Sequence, residues 1–192
     1  GIGCADRAAA GLEAAPDSEQ WAAIAWAYPP AWESLLGSEG GVVGRLGPGP
    51  GLEPALLYSL VRQESRFDRE ARSASDALGL MQLKLETARD MARALRMPAI
   101  TEATLLDPAS NVRLGVRYLE KLLRRFDADT AAALCAYNAG ASTLGVAWRA
   151  LVERGGDALL CELGANADAR GYARKILAGR QAYRELAPYV GR

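Results

Sequence analysis

Residues 53–67 read Glu-Pro-Ala-Leu-Leu-Tyr-Ser-Leu-Val-Arg-Gln-Glu-Ser-Arg-Phe. Pro54 stands at an early helical position, where its missing N–H costs nothing. Leu56, Leu57, Leu60 and Val61 then recur at helical spacing, which predicts a helix ending near 64–67. Glu64 falls in phase with that apolar stripe, since Leu57, Leu60 and Val61 lie seven, four and three residues before it. A carboxylate on a buried stripe is costly unless it is protonated or paired. Burial raises a carboxyl pKa, which suits a general acid working near neutrality. The plainer alternative is a helix-end glutamate paired with Arg62 or Arg66.

Composition extends the helical reading to the whole chain. Its 192 residues hold 38 Ala and 27 Leu against 8 Val and 4 Ile, favouring helix formers over strand formers. A chain of this length buries roughly 70% of its unfolded surface, so one ample domain, or one with an appendage, needs no staple. Lys+Arg and Asp+Glu are both 23, a balance that argues against nucleic acid as a partner. Histidine is absent, which excludes His-based triads and His-metal sites. Cys4, Cys135 and Cys161 are too few and too scattered for a zinc cluster, so neither metal nor cofactor is expected. Cys135 and Cys161 leave two readings open, a disulfide or buried thiols. The longest apolar run, Trp21 to Tyr28, is too short for a transmembrane segment. The chain opens on Gly1 and reads as a mature or trimmed fragment, so the lack of a leader fixes no compartment.

Punctuation organises the rest. Residues 5–28 read as one or two Ala-rich helices stopped by Pro29-Pro30, with a short helix expected from Ala31 to Leu36. Residues 37–51 hold 7 Gly and 2 Pro, which is linker chemistry. Residues 1–36 are therefore expected to end a larger helical domain upstream, with the compact domain over 52–192. Within it, 68–82 lacks helical periodicity and predicts a loop or short hairpin. Helices are expected at 86–95, from Asp107-Pro108 to Phe126, from Asp129 to Gly140, and around 142–153, 157–163 and 168–186.

Three further blocks follow Glu64-Ser65 in order: Ala71-Arg72-Ser73 with Ala77-Leu78-Gly79-Leu80-Met81-Gln82-Leu83, then Ala136-Tyr137-Asn138-Ala139-Gly140, then Asp168-Ala169-Arg170-Gly171-Tyr172. Together they resemble the lytic transglycosylase domain of the soluble periplasmic type, in the goose-lysozyme-like branch of the lysozyme superfamily. The resemblance implies a mostly α, lysozyme-like α+β fold with a small β element beside a glycan-binding cleft. It implies a periplasmic or envelope location and peptidoglycan glycan strands as partner.

By position, Glu64 matches the family's single catalytic acid/base, and Ser73 a serine facing the N-acetyl group of the reacting sugar. Gln82 and the backbone of Leu80-Met81 match the opposite glycan-binding wall. Tyr137 and Asn138 match cleft residues, with the tyrosine near the carboxylate, while Asp168 and Tyr172 match positions flanking the saccharide sites. The implied reaction is cleavage between N-acetylmuramic acid and N-acetylglucosamine with closure of a 1,6-anhydro ring, without cofactor. Two alternatives stand beside it: a muramidase with Asp76 as second carboxylate, and a glycan-binding module whose catalysis has decayed. The sequence departs from the family pattern at Lys84 and Leu85, usually Met and Pro, at Asp76, usually Gly, and at Asp168, usually Glu. A cation at Lys84 lying toward the cleft would favour ionised Glu64.

Overall fold

Proline and aspartate set the helix starts. In a computed structural model of the chain, residues 32–36, 52–142, 144–145 and 167–186 are described. Helix α1 (Glu33–Leu36) precedes α2 (Pro54–Ser65), which begins on its proline. Strands β1 (Ala77–Leu78) and β2 (Leu83–Lys84) follow, then α3 (Leu85–Ala94) and α4 (Glu102–Leu106). Helix α5 (Pro108–Arg125) is capped by Asp107, whose carboxylate accepts from Ser110 N at 2.9 Å. Helix α6 (Thr130–Ala139) is capped by Asp129 accepting from Ala132 N at 2.8 Å, and α7 (Ala167–Leu186) closes the order. The fold is mostly α with a small sheet, as the composition predicts.

Helix α4 was not foreseen. It is too short for periodicity to reveal, and a reciprocal cap between Thr101 and Thr104 starts it. The helices expected over 5–28 and 157–163, and nearly all of 142–153, lie outside the described residues.

The two strands pair antiparallel, with Ala77 opposite Lys84 and Leu78 opposite Leu83. Two packed clusters support them. The larger joins α2, α5, α6 and α7 through Leu56, Leu57, Leu60, Val61, Val116, Leu119, Leu122 and Ile176. The smaller, with Leu78, Leu83, Met91, Leu105 and Leu114, sits beneath the hairpin and α3. Helix α1 also packs on the larger cluster: Leu36 is fully buried, and Trp32 Nε1 donates to Phe67 O at 3.3 Å. Change of composition at the Gly/Pro-rich stretch therefore does not coincide with the end of core packing.

Candidate active site

The last turn of α2 carries Glu64 to the domain surface, where the carboxyl is half-buried. The chain then turns sharply. Arg66 and Phe67 take left-handed conformations at φ 52° and 67°, strained for residues with side chains. Phe67 leans on Tyr58 at a centroid distance of 6.4 Å, which holds the turn.

The structure gives the Glu64 carboxyl a hydroxyl partner where the sequence offered two arginines. Tyr172 Oη, from the first turns of α7, donates to Glu64 Oε1. Burial pushes the Glu64 carboxyl up to about 7, against the opposing pull of the Tyr172 hydrogen bond. Tyr172 is itself held well above the ordinary tyrosine range, by burial first and then by the neighbouring carboxylate. The group is thus a carboxylic acid that can hold or release its proton near neutrality.

The hairpin loop is built by side chains that bind backbone. Ser73 Oγ accepts from Ser75 N at 3.2 Å and Ala77 N at 3.0 Å and shares a further hydrogen bond with Ser75 Oγ at 3.1 Å. Asp76 sits at φ 60°, the conformation for which glycine is the default. Gln82, at φ 46°, donates its amide N–H groups to Ala71 O (3.1 Å) and Gly79 O (2.9 Å). Its carbonyl oxygen is what remains for a ligand. Leu80 and Met81 are fully buried, so both fill the core, and the Met81 N–H and C=O are already bonded to Asn111 and Tyr137.

Tyr137 is half-buried on α6, its ring 5.2 Å from Tyr118. Its hydroxyl donates to Met81 O at 2.8 Å, while burial and then the charge of Glu64 raise its pKa. Tyr137 therefore lies within the electrostatic reach of the carboxyl, but Tyr172 is the tyrosine that bonds it. Asn138 and Asp168 are exposed, the latter in the first turn of α7, where a carboxylate favours the helix dipole. Lys84 is exposed at the end of β2.

Sequence reading missed Asn111. This fully buried amide donates to Leu78 O (2.9 Å) and Leu105 O (2.8 Å) and accepts from Met81 N (2.8 Å). It ties hairpin, α4 and α5 together, and the Met81 peptide it holds also receives the Tyr137 hydroxyl. Gly79, at φ 74°, leaves room for it; a Cβ there would come within 2.9 Å of Asn111 Cγ. The available signal was a lone amide beside Val112 on the buried face of α5. Cys135 is buried with its Sγ donating to Ala169 O at 3.5 Å, whereas Cys161 lies outside the described residues. A groove of about 480 Å³ between α3 and α5, lined by Asp90, Arg93, Arg117 and Lys121 among others, shares no residue with this site. Among the described residues, no helix is long and apolar enough to cross a membrane.

A mostly helical domain with a small two-stranded hairpin is of the lysozyme-like fold class. Within that class, the family model of the Transglycosylase SLT domain matches residues 45–157, and the chain belongs to that family. A Haemophilus influenzae protein named as a soluble lytic murein transglycosylase is 33% identical over 130 residues, covering 66% of this chain and 21% of its own length. The 70 kDa soluble lytic transglycosylase of Escherichia coli superposes with a TM-score of 0.73 at 26% identity, over 88% of this chain and 26% of that one. The lytic transglycosylase Slt of Pseudomonas aeruginosa, in a structure of an inactive glutamate-to-glutamine variant, gives 0.69 at 26% identity, over 86% and 25%. The chain thus spans about a fifth to a quarter of the length of these relatives.

Proposed function

We propose that this domain is a peptidoglycan lytic transglycosylase that cleaves the β-1,4 bond between N-acetylmuramic acid and N-acetylglucosamine, with Glu64 as its one acid and base. The observation that carries the reading is the Glu64 carboxyl, half-buried, bonded to the Tyr172 hydroxyl and raised to about 7. Family membership and the names of the relatives support the substrate class.

Protonated Glu64 donates to the glycosidic oxygen as the bond breaks. The 2-acetamido oxygen of the substrate then stabilises the cationic sugar carbon, in place of a second carboxylate. Ionised Glu64 takes the proton of the muramyl C6 hydroxyl, whose oxygen attacks the same carbon and closes the 1,6-anhydro ring. That hydroxyl outcompetes water because it is already held beside the reacting carbon. The carbonyl of Gln82 and the loop carrying Ser73 offer sugar contacts on the hairpin, with Tyr137, Asn138, Asp168 and Tyr172 as further contacts along the cleft. The site of action is the periplasm or cell envelope, where the polymer is.

Mass spectrometry of purified murein digested by the chain tests this reading. Anhydro products, one water lighter than hydrolytic ones, are expected. Reducing ends would establish a muramidase, and binding without turnover a glycan-binding module.

A further inference from the structure

Helices α2 and α7 run side by side in opposite directions, linked at three levels. At one end Glu53 pairs with Arg180 and Arg184, the latter at 2.8 Å. Midway, Ser59 Oγ donates to Ile176 O at 2.7 Å. At the far end Tyr172 donates to Glu64.

Gly179 is buried inside α7, where the helical backbone makes no demand for glycine. Glycine within a helix costs about 1 kcal/mol relative to alanine. Its neighbour accounts for it. A Cβ on Gly179 would press on Ser59 Oγ and stand 3.3 Å from Ser59 Cβ. Tyr172 precedes Gly179 by seven residues, about two helical turns, so both face α2 on one stripe. Tyr183, one turn beyond, stacks on Tyr58 at 5.2 Å. A slip of one residue along a helix is about 1.5 Å, enough to take an O–H···O bond out of range.

We propose that the close Ser59–Gly179 contact is a register pin that fixes the height and separation of α7 on α2 and so places the Tyr172 hydroxyl on Glu64. Ser59 and Gly179 are then positioning residues for the active carboxyl, acting at a distance through Tyr172. The inference deepens the proposed function, but its readout does not require turnover.

The test is a carbon-13 carboxyl titration of Glu64 in the whole chain. Gly179→Ala should raise the titration midpoint by about half a pH unit or more, because the hydrogen bond that favours the ionised form is lost while burial persists. The size swap Ser59→Gly with Gly179→Ala, which relieves the bulk but lacks the Ile176 bond, should bring it back to the smaller rise of Ser59→Ala alone. In a Tyr172→Phe background, Gly179→Ala should no longer move it. A lower melting temperature with an unmoved midpoint overturns the proposal, as does a midpoint that falls or one the swap fails to bring back. Should Gly179→Ala not fold, Ser59→Ala removes the Ile176 bond without added bulk. Its midpoint should rise by a smaller amount, and an unchanged one overturns the pin. A wild-type chain that titrates as expected yet leaves murein intact contradicts the proposed function and not the pin.

Discussion

Two glutamates, one on α2 and one on α5, are treated in opposite ways. Glu120, buried on α5, accepts from Arg117 at 2.6 Å and Arg124 at 3.2 Å, so both carboxylate oxygens meet a cation. Glu64, half-buried on α2, meets a tyrosine hydroxyl. The first arrangement is a structural tie made of two charge-assisted hydrogen bonds. In the second, burial outweighs a single neutral hydrogen bond, and the carboxyl is pushed up to about 7. Burial alone therefore does not mark an active carboxylate; burial without a compensating cation does.

Exchange of roles is the sharpest way to break that contrast. Glu64→Gln should cut murein turnover by about a hundredfold to ten-thousandfold, the usual worth of a positioned acid, with circular dichroism unchanged. Glu120→Ala should instead lower stability by roughly 1–3 kcal/mol, because two guanidinium groups lose their partner, while turnover per folded molecule stays near wild type. Activity of Glu64→Gln within tenfold of wild type would end the distinction.

Stability should carry the same contrast into pH. The folded Glu64 carboxyl binds its proton more tightly than in the unfolded chain, from about 7 against 4.5. Its stabilising contribution is therefore complete below about pH 4.5 and lost as pH rises through 7. Above pH 7 the Glu64→Gln chain should be the more stable, by at most roughly 3 kcal/mol, and the gap should close toward pH 4. Denaturant midpoints at pH 4, 6 and 8 measure it; parallel curves for the two chains would contradict the assigned protonation.

Smaller effects probe the surroundings. Ser73→Ala removes an acceptor for two backbone N–H groups and the partner of Ser75 Oγ, so about 1 kcal/mol of loop stability and a several-fold loss of turnover should go together. Lys84→Met should leave the pH–rate profile superimposable on wild type. Lys84 is exposed, and the proton affinity of Glu64 is set by burial and Tyr172. A profile displaced by the substitution would place the ammonium group in the cleft.

Much of this fold is legible because its signals are local. Pro54, Asp107 and Asp129 announce their helices within four residues, and Glu64 shows itself by its phase with Leu57, Leu60 and Val61. The partners of these residues are not local. Tyr172 lies 108 residues from the carboxyl it bonds, and Ser59 reaches Ile176 across 117. Periodicity places each of them on the right face but cannot say which side chain stands opposite. Family likeness pointed to Tyr137 as the tyrosine near the carboxylate; in the structure Tyr137 bonds Met81 O and Tyr172 bonds Glu64. Asn111 escaped because one buried amide among apolar neighbours has no periodic signature; only the three backbone groups around it disclose its role.

The protonation of Glu64 is the claim on which the mechanism stands, and the most direct measurement is its site-resolved carboxyl titration in the wild-type chain, assigned by the loss of one signal in Glu64→Gln. A midpoint near 7 is the result expected. A midpoint near 4.5 would show an ionised glutamate at neutral pH and contradict its role as the acid.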